Sequence, residues 1–126
     1  MIFEKLKLEG SYLIKLDFKK DNRGFFSRLF CENEFKENGL NSNWVQMNNS
    51  YNKFKGTLRG MHMQKEPFNE VKLVRCIKGE IFDVIVDLRI KSKTFGMWVG
   101  RKLSETNKHM MYVPSGFAHG FISLTD

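Results

Sequence analysis

A chain of 126 residues that is 41% hydrophobic and 13% aromatic, with only two prolines, carries one domain with a full apolar core and excludes disordered and fibrous classes. Its net charge of +7 is scattered, with no block of like charges and no basic run interleaved with aromatics, which argues against nucleic-acid binding and fits a phosphorylated small ligand. No run of about 18 apolar residues is present, the N-terminal MIFEKLKLEG lacks the apolar stretch of a secretory signal, and Cys31 and Cys76 show neither metal nor disulfide spacing, so a cytoplasmic protein with reduced thiols and no membrane contact is expected.

The first segment, Glu4 to Phe18, alternates apolar and polar residues in patches and reads as one half-buried strand. Lys19 to Gly24 then gathers the turn residues Asp21, Asn22 and Gly24, after which RGFFSRLF resumes an apolar run and predicts another strand. ENEFKENG, residues 32–39, combines helix formers with Asn33 as a candidate N-cap and Gly39 as a stop, so one short helix is expected there. From Trp44 onward the pattern is β. WVQMNNSYN and GTLRGMHMQ read as strands, and EVKLVRCIKGEIFDVIVDLR reads as two strands meeting in a hairpin at Lys78-Gly79, all paired antiparallel.

In the first arm of that hairpin Val71, Leu73 and Arg75 share one face and Lys72, Val74 and Cys76 the other. In the second, Phe82, Val84, Val86 and Leu88 oppose Ile81, Asp83, Ile85 and Asp87. Faces that mix apolar and ionisable groups suit the mouth of a barrel, where a few placed polar groups line a pocket. TFGMWVGRKL and HMMYVPSGFAHGFISL follow as further strands, the last two joined by a PSG turn. The expected class is a single all-β domain spanning residues 1–126, without repeats or linkers.

The stretch KGTLRGMHMQ is unusual for a strand built only for stability, because glycines weaken strands and polar groups in them need partners. Something is expected to approach the backbone there. His62 and His119 both lie beside glycines near turns, and histidine is the side chain whose ordinary pKa suits general acid or base work at neutral pH. Lys72, expected one strand away from His62, would set a cation against that base. Arg59 and His62 are an odd number of positions apart and would point to opposite faces of a regular strand, so both line one pocket only if a bulge falls at Gly60 between them. Arg23 in its turn offers a planar fork of donors for a phosphate, and Gln46 and Asn48, on one face of the next predicted strand, offer amide hydrogen bonds.

Four blocks carry a family resemblance: DNRGFFSRLF, VQMNNSYNKFKGTLRGMHMQ, EVKLVRCIKGEIFDVIVDLR and YVPSGFAHGFISLTD. In this order and spacing they resemble dTDP-4-dehydrorhamnose 3,5-epimerase and its nucleotide-sugar relatives, from about Asp21 to Asp126. The resemblance implies a cupin-like jelly-roll β-barrel, a homodimer, no required cofactor or metal, and a nucleotide-linked 4-keto-6-deoxy sugar as substrate in deoxysugar and surface-polysaccharide biosynthesis. It implies His62 as the base that removes a proton next to the ketone, Lys72 as the group that steadies the enolate, and His119 in the same pocket. Arg23, Phe26, Gln46, Asn48 and Arg59 match positions that hold the nucleotide and its diphosphate, and the glycines are implied to let that ligand come close.

The motif pair GMHMQ and PSGFAH is also similar to metal-binding cupins. Here, however, His62, Glu70 and His119 supply only part of such a set, and Gln64 stands where a second histidine would be needed. Two departures from the family pattern are visible. Arg28 occupies a position where the family has a glutamate, and the sequence stops at Asp126, five residues past the FAHGF block, where the family continues with segments supplying a tyrosine acid and an aspartate partner for the base. Tyr112, on a predicted strand, reads as a packed aromatic rather than that acid. Two alternatives accompany the epimerase reading: a nucleotide-sugar binding module impaired in turnover, and a 3,4-ketoisomerase on the same barrel.

Overall fold

A computed structural model describes residues 1–126 as ten strands and one short helix. The strands are β1 (Ile2–Lys5), β2 (Tyr12–Lys15), β3 (Lys19–Asp21), β4 (Gly24–Phe26), β5 (Leu58–His62), β6 (Lys72–Arg75), β7 (Glu80–Asp87), β8 (Trp98–Ser104), β9 (Met110–Val113) and β10 (Phe117–Ser123); α1 covers Glu32–Glu37. Eight strands form two four-stranded sheets in the orders β1-β2-β9-β6 and β5-β10-β7-β8, while β3 and β4 make a separate hairpin. Every recorded pairing is antiparallel. The all-β jelly roll of the sequence reading is the fold observed.

Two apolar cores explain why these strands are so hydrophobic. Between the sheets, Leu13, Met111 and Val113 meet Ile81, Ile85, Val99, Leu103 and Phe117. On the outer face of the first sheet, Tyr12, Ile14, Met110 and Tyr112 are covered by Phe35 of α1 and by Leu40 and Trp44. Strand β9 (MMYV) is therefore buried on both faces, which is why its four residues show no polar alternation. The helix ends in a Schellman arrangement: the Gly39 amide donates to the Lys36 carbonyl, the Leu40 amide donates to the Phe35 carbonyl, and Gly39 takes a φ of 68°.

Several local expectations are corrected. Glu4 to Phe18 is not one strand but the hairpin β1–β2, reversed through Gly10 at a φ of 83°. The N-cap position of α1 is Cys31, with no side-chain cap, and Asn33 lies within the helix. WVQMNNSYN forms no strand: residues 43–53 have no sheet partner, and Val45, Met47 and Tyr51 are exposed. The Lys78-Gly79 turn does not close a hairpin, because β6 pairs with β9 in the first sheet and β7 with β8 and β10 in the second. The turn instead carries the chain across the sandwich, as Pro114 to Gly116 does between β9 and β10. Period-2 alternation tells which side chains share a face but not which sheet a strand joins.

Candidate functional site

The second sheet places its candidate side chains by register. On β7, Ile81, Asp83, Ile85 and Asp87 are buried while Phe82 is exposed, so the isoleucine–aspartate face turns inward. His119 on β10 is paired with Ile85 and Phe121 with Asp83, and both therefore share that inner face. On β5, His62 is opposite His119 and Arg59 is opposite Phe121, with the register shifting between those two pairs. Two residues separate Arg59 from His62 where only one separates their partners, so the bulge at Gly60 puts both on the inner face.

Gly60 adopts a φ of 107°, and a Cβ there would lie 2.6 Å from Gly120 Cα and 2.7 Å from the His119 carbonyl oxygen. Conversely, a Cβ on Gly120 would meet the Arg59 carbonyl oxygen at 2.8 Å. What approaches the β5 backbone is thus the β10 backbone. The expectation that this glycine makes room for the ligand is overturned. Gly56, with nothing within 4 Å of an added Cβ, serves its turn at a φ of 79°.

Lys72 comes from the other sheet. Its strand partner is Val113 of the inter-sheet core, which fixes Lys72 on the inner face of β6. It is not one strand away from His62, as expected: β5 and β6 are edge strands of different sheets, joined by the loop 63–71. The two residues nevertheless line one cleft of about 410 Å³ together with Met61, Met63, Gln64 and Glu70. The Lys72 ammonium is 2.5 Å from a Glu70 carboxylate oxygen, an ion pair that holds it at the cleft wall. His62 is exposed to the cleft.

Two strands from His62, on the same inner face, lies a residue that the sequence reading did not single out. Asp83 is completely buried, and its Oδ1 is 2.7 Å from Nε2 of His119, whose side chain is 12% exposed. Burial pushes the Asp83 carboxyl above the usual carboxylate range, with the His119 interaction pulling it partly back. The available signal was the alternation itself, in which an aspartate shares its face with two isoleucines.

The other candidates lie outside the cleft. Arg59 Nε donates to Asn52 Oδ1 at 2.6 Å, which holds the guanidinium against the segment that precedes β5. Arg23 is an exposed tip of the β3–β4 hairpin, paired with Asp21 at 2.7 Å. Phe26 is 75% exposed and borders a second cleft of about 240 Å³, shared with Arg28 and Glu34. Arg28 donates to Glu34 at 2.8 Å. Gln46 and Asn48 are exposed on an irregular segment, not on a strand. Tyr112 is buried in the outer core, and its hydroxyl accepts the Asn41 amide at 2.9 Å. No group of three or more His, Cys, Asp or Glu side chains converges as metal ligands would, and no helix is long and apolar enough to cross a membrane.

Comparison with known proteins follows the same lines. A family model described as dTDP-4-dehydrorhamnose 3,5-epimerase matches residues 5–126. An epimerase of that description from Methanothermobacter thermautotrophicus is 48% identical over 124 residues, covering 98% of this chain and 66% of the relative. Among solved structures, one from Elizabethkingia anophelis superposes with a TM-score of 0.95 at 44% identity, over 99% of this chain and 68% of the other. Another, from Legionella pneumophila in complex with dTDP-4-keto-L-rhamnose, has a TM-score of 0.90 at 40% identity, over 98% of this chain and 65% of the other. The chain spans about two thirds of the length of the curated relatives it matches.

Proposed function

This chain belongs to the dTDP-4-dehydrorhamnose 3,5-epimerase family, and from that membership and the cleft we propose that it epimerises a nucleotide-linked 4-keto-6-deoxy sugar. The observation that carries the reading is the convergence of His62 and Lys72, from edge strands of opposite sheets, on one cleft. A hydrogen on carbon beside a ketone is removed when a base stands against it and a cation meets the oxygen on which charge develops. His62 is that base. Lys72 is the cation, with Glu70 orienting it, and His119 supports the same wall.

General base catalysis is worth about 10² to 10⁴-fold, and one donor at a developing oxyanion about 10² to 10³-fold. Neither suffices alone, and the cleft offers both. Removal of the proton leaves an enolate; inversion is completed when a proton is returned to the opposite face of the same carbon. Tyr112 is not that donor, since its hydroxyl is held in the outer core.

Arg59 and Arg23 supply guanidinium groups for a diphosphate, Phe26 a face for a base to stack on, and Gln46 and Asn48 amide contacts. The complex of the Legionella relative with dTDP-4-keto-L-rhamnose supports a deoxythymidine diphosphate sugar as the ligand. The protein acts as a homodimer in the cytoplasm. Phe25, Phe26, Met47 and Tyr51 form exposed apolar surface of a kind that a second copy covers.

The test is incubation with dTDP-4-keto-6-deoxyglucose in deuterated water, read by NMR. Deuterium entering at C3 or C5 with the ketone retained at C4 is the expected result. Tight binding without any exchange identifies a binding module instead, and a product with its ketone moved to C3 identifies a ketoisomerase.

A further inference from the structure

The β3–β4 hairpin belongs to neither sheet. No hydrogen bond joins residues 19–26 to the rest of the chain, and the one ion pair leaving the hairpin runs from Lys19 only as far as Asp17. What seats the hairpin is Phe25. Phe18, which packs against the outer core, meets the Phe25 ring edge to face at a centroid distance of 5.0 Å. From the turn between β8 and β9, the Lys108 ammonium lies 5.1 Å from the centre of the same ring. Register then decides what the other face presents. Phe25 is paired with Lys20 and Phe26 with Lys19, so fixing Phe25 against the body turns Phe26 and Lys19 to the opposite face, where both line the cleft of about 240 Å³.

Lys108 makes this contact from a backbone position that does not suit it. It is the one non-glycine residue with a positive φ, 53°, where glycine or asparagine is tolerated better. The surrounding turn over-determines that conformation: Asn107 Oδ1 accepts the Ser104 and His109 amides at 3.1 and 2.9 Å, the Ser104 hydroxyl accepts the Asn107 amide at 3.0 Å, and the Lys108 amide donates to the Ser104 carbonyl at 2.9 Å. None of these bonds uses the lysine side chain. Its ammonium donates to the Glu105 carbonyl, which fixes it over the Phe25 ring.

We propose that Lys108 is a positioning residue for the nucleotide: its cation–π contact clamps Phe25 and thereby sets the hairpin so that Phe26 and Arg23 are presented to the ligand together. The nucleotide's part in this rests on the function proposed above; the clamp does not. A lysine kept at a strained position in a turn that is complete without its side chain is explained by what that side chain touches, and here that is Phe25 and the turn's own carbonyl. A cation over an aromatic ring at a partly exposed site shifts an equilibrium by about two- to fivefold.

Two measurements test the proposal. In NMR spectra of the ligand-free protein the ε-methylene protons of Lys108, assigned through Lys108→Asn, are shifted upfield by the Phe25 ring, and Phe25→Leu returns them to the ordinary lysine position. Ordinary Lys108 shifts in the wild type overturn the clamp. Calorimetric titration with dTDP then compares wild type, Lys108→Asn and Lys108→Arg. Asparagine tolerates the left-handed backbone, so Lys108→Asn unfolds at the wild-type temperature or above it and still binds dTDP about two- to fivefold more weakly. Lys108→Arg, which keeps a cation over the ring, binds as wild type does. Deuterium exchange at saturating sugar nucleotide is unchanged in both variants. Unaltered affinity in Lys108→Asn, a loss of affinity that follows a loss of thermal stability, or one that arginine does not restore overturns the positioning role. A wild type that binds no dTDP overturns the nucleotide's part together with the function proposed above, while the ring shift still decides the clamp.

Discussion

Gly60 meets two demands that no other residue type meets together: it holds a φ of 107° inside a strand and leaves no Cβ in the path of the β10 backbone. The parity conflict between Arg59 and His62 made a bulge at this position legible in the sequence. The neighbour that fills the glycine's empty side was not legible, since a glycine shows that a Cβ is excluded but not by what. Gly60→Ala is expected to cost on the order of 3 kcal/mol, because strain at a left-handed position adds to a backbone clash. Gly56→Ala, strained at a φ of 79° but sterically open, should cost about 1 kcal/mol. Urea unfolding of the two variants checks this ordering, and equal losses would contradict the close approach of β5 and β10.

Strand β7 shows what an element's pattern reveals and what it conceals. Its alternation identifies Ile81, Asp83, Ile85 and Asp87 as one face, and that face is the buried one. The partners of its two aspartates come from elsewhere, His119 from a strand far along the chain and Ser92 and Thr94 from the following loop, so no local pattern points to them. Burial alone would raise the Asp87 carboxyl, but hydrogen bonds from Arg89 (2.8 and 2.9 Å), Ser92 (2.6 Å) and Thr94 (2.6 Å) outweigh it and hold the group well below the usual carboxylate range.

A carboxyl depressed in the folded state contributes stability that is complete above its unfolded value of about 3.9 and is lost as the pH falls toward the folded value. Asp87→Asn should therefore be less stable by about 2 kcal/mol at pH 7, and the gap should narrow below about pH 4. Thermal unfolding at pH 7, 4 and 2.5 measures it. A gap that stays constant over that range would show that the charge of Asp87 is not what closes the loop.

At the scale of the molecule, the site exists because two sheets bring their edge strands together. The all-β class, the single helix and the inward faces of β6 and β7 could be read from composition, caps and alternation. Sheet membership could not: β6 and β7 are neighbours in sequence but belong to different sheets, and a crossing turn at Lys78-Gly79 looks locally like a hairpin turn. Lys72 and His62 thus converge by a route other than the expected one, across the sandwich rather than along a sheet. Phe26 was legible only by family resemblance, while Arg23, Gln46 and Asn48 were also legible as donor types, and within one chain all four lie on exposed segments away from this cleft.

The division of labour in the cleft predicts that chemistry and binding separate at one side chain, His62. The decisive measurement is solvent-deuterium incorporation into dTDP-4-keto-6-deoxyglucose by wild type and His62→Ala, with dTDP affinity measured calorimetrically on the same folded samples. Loss of exchange by about 10² to 10⁴-fold with affinity within about twofold is the predicted result. Undiminished exchange, or parallel loss of exchange and affinity, would contradict the assignment of His62 as the base.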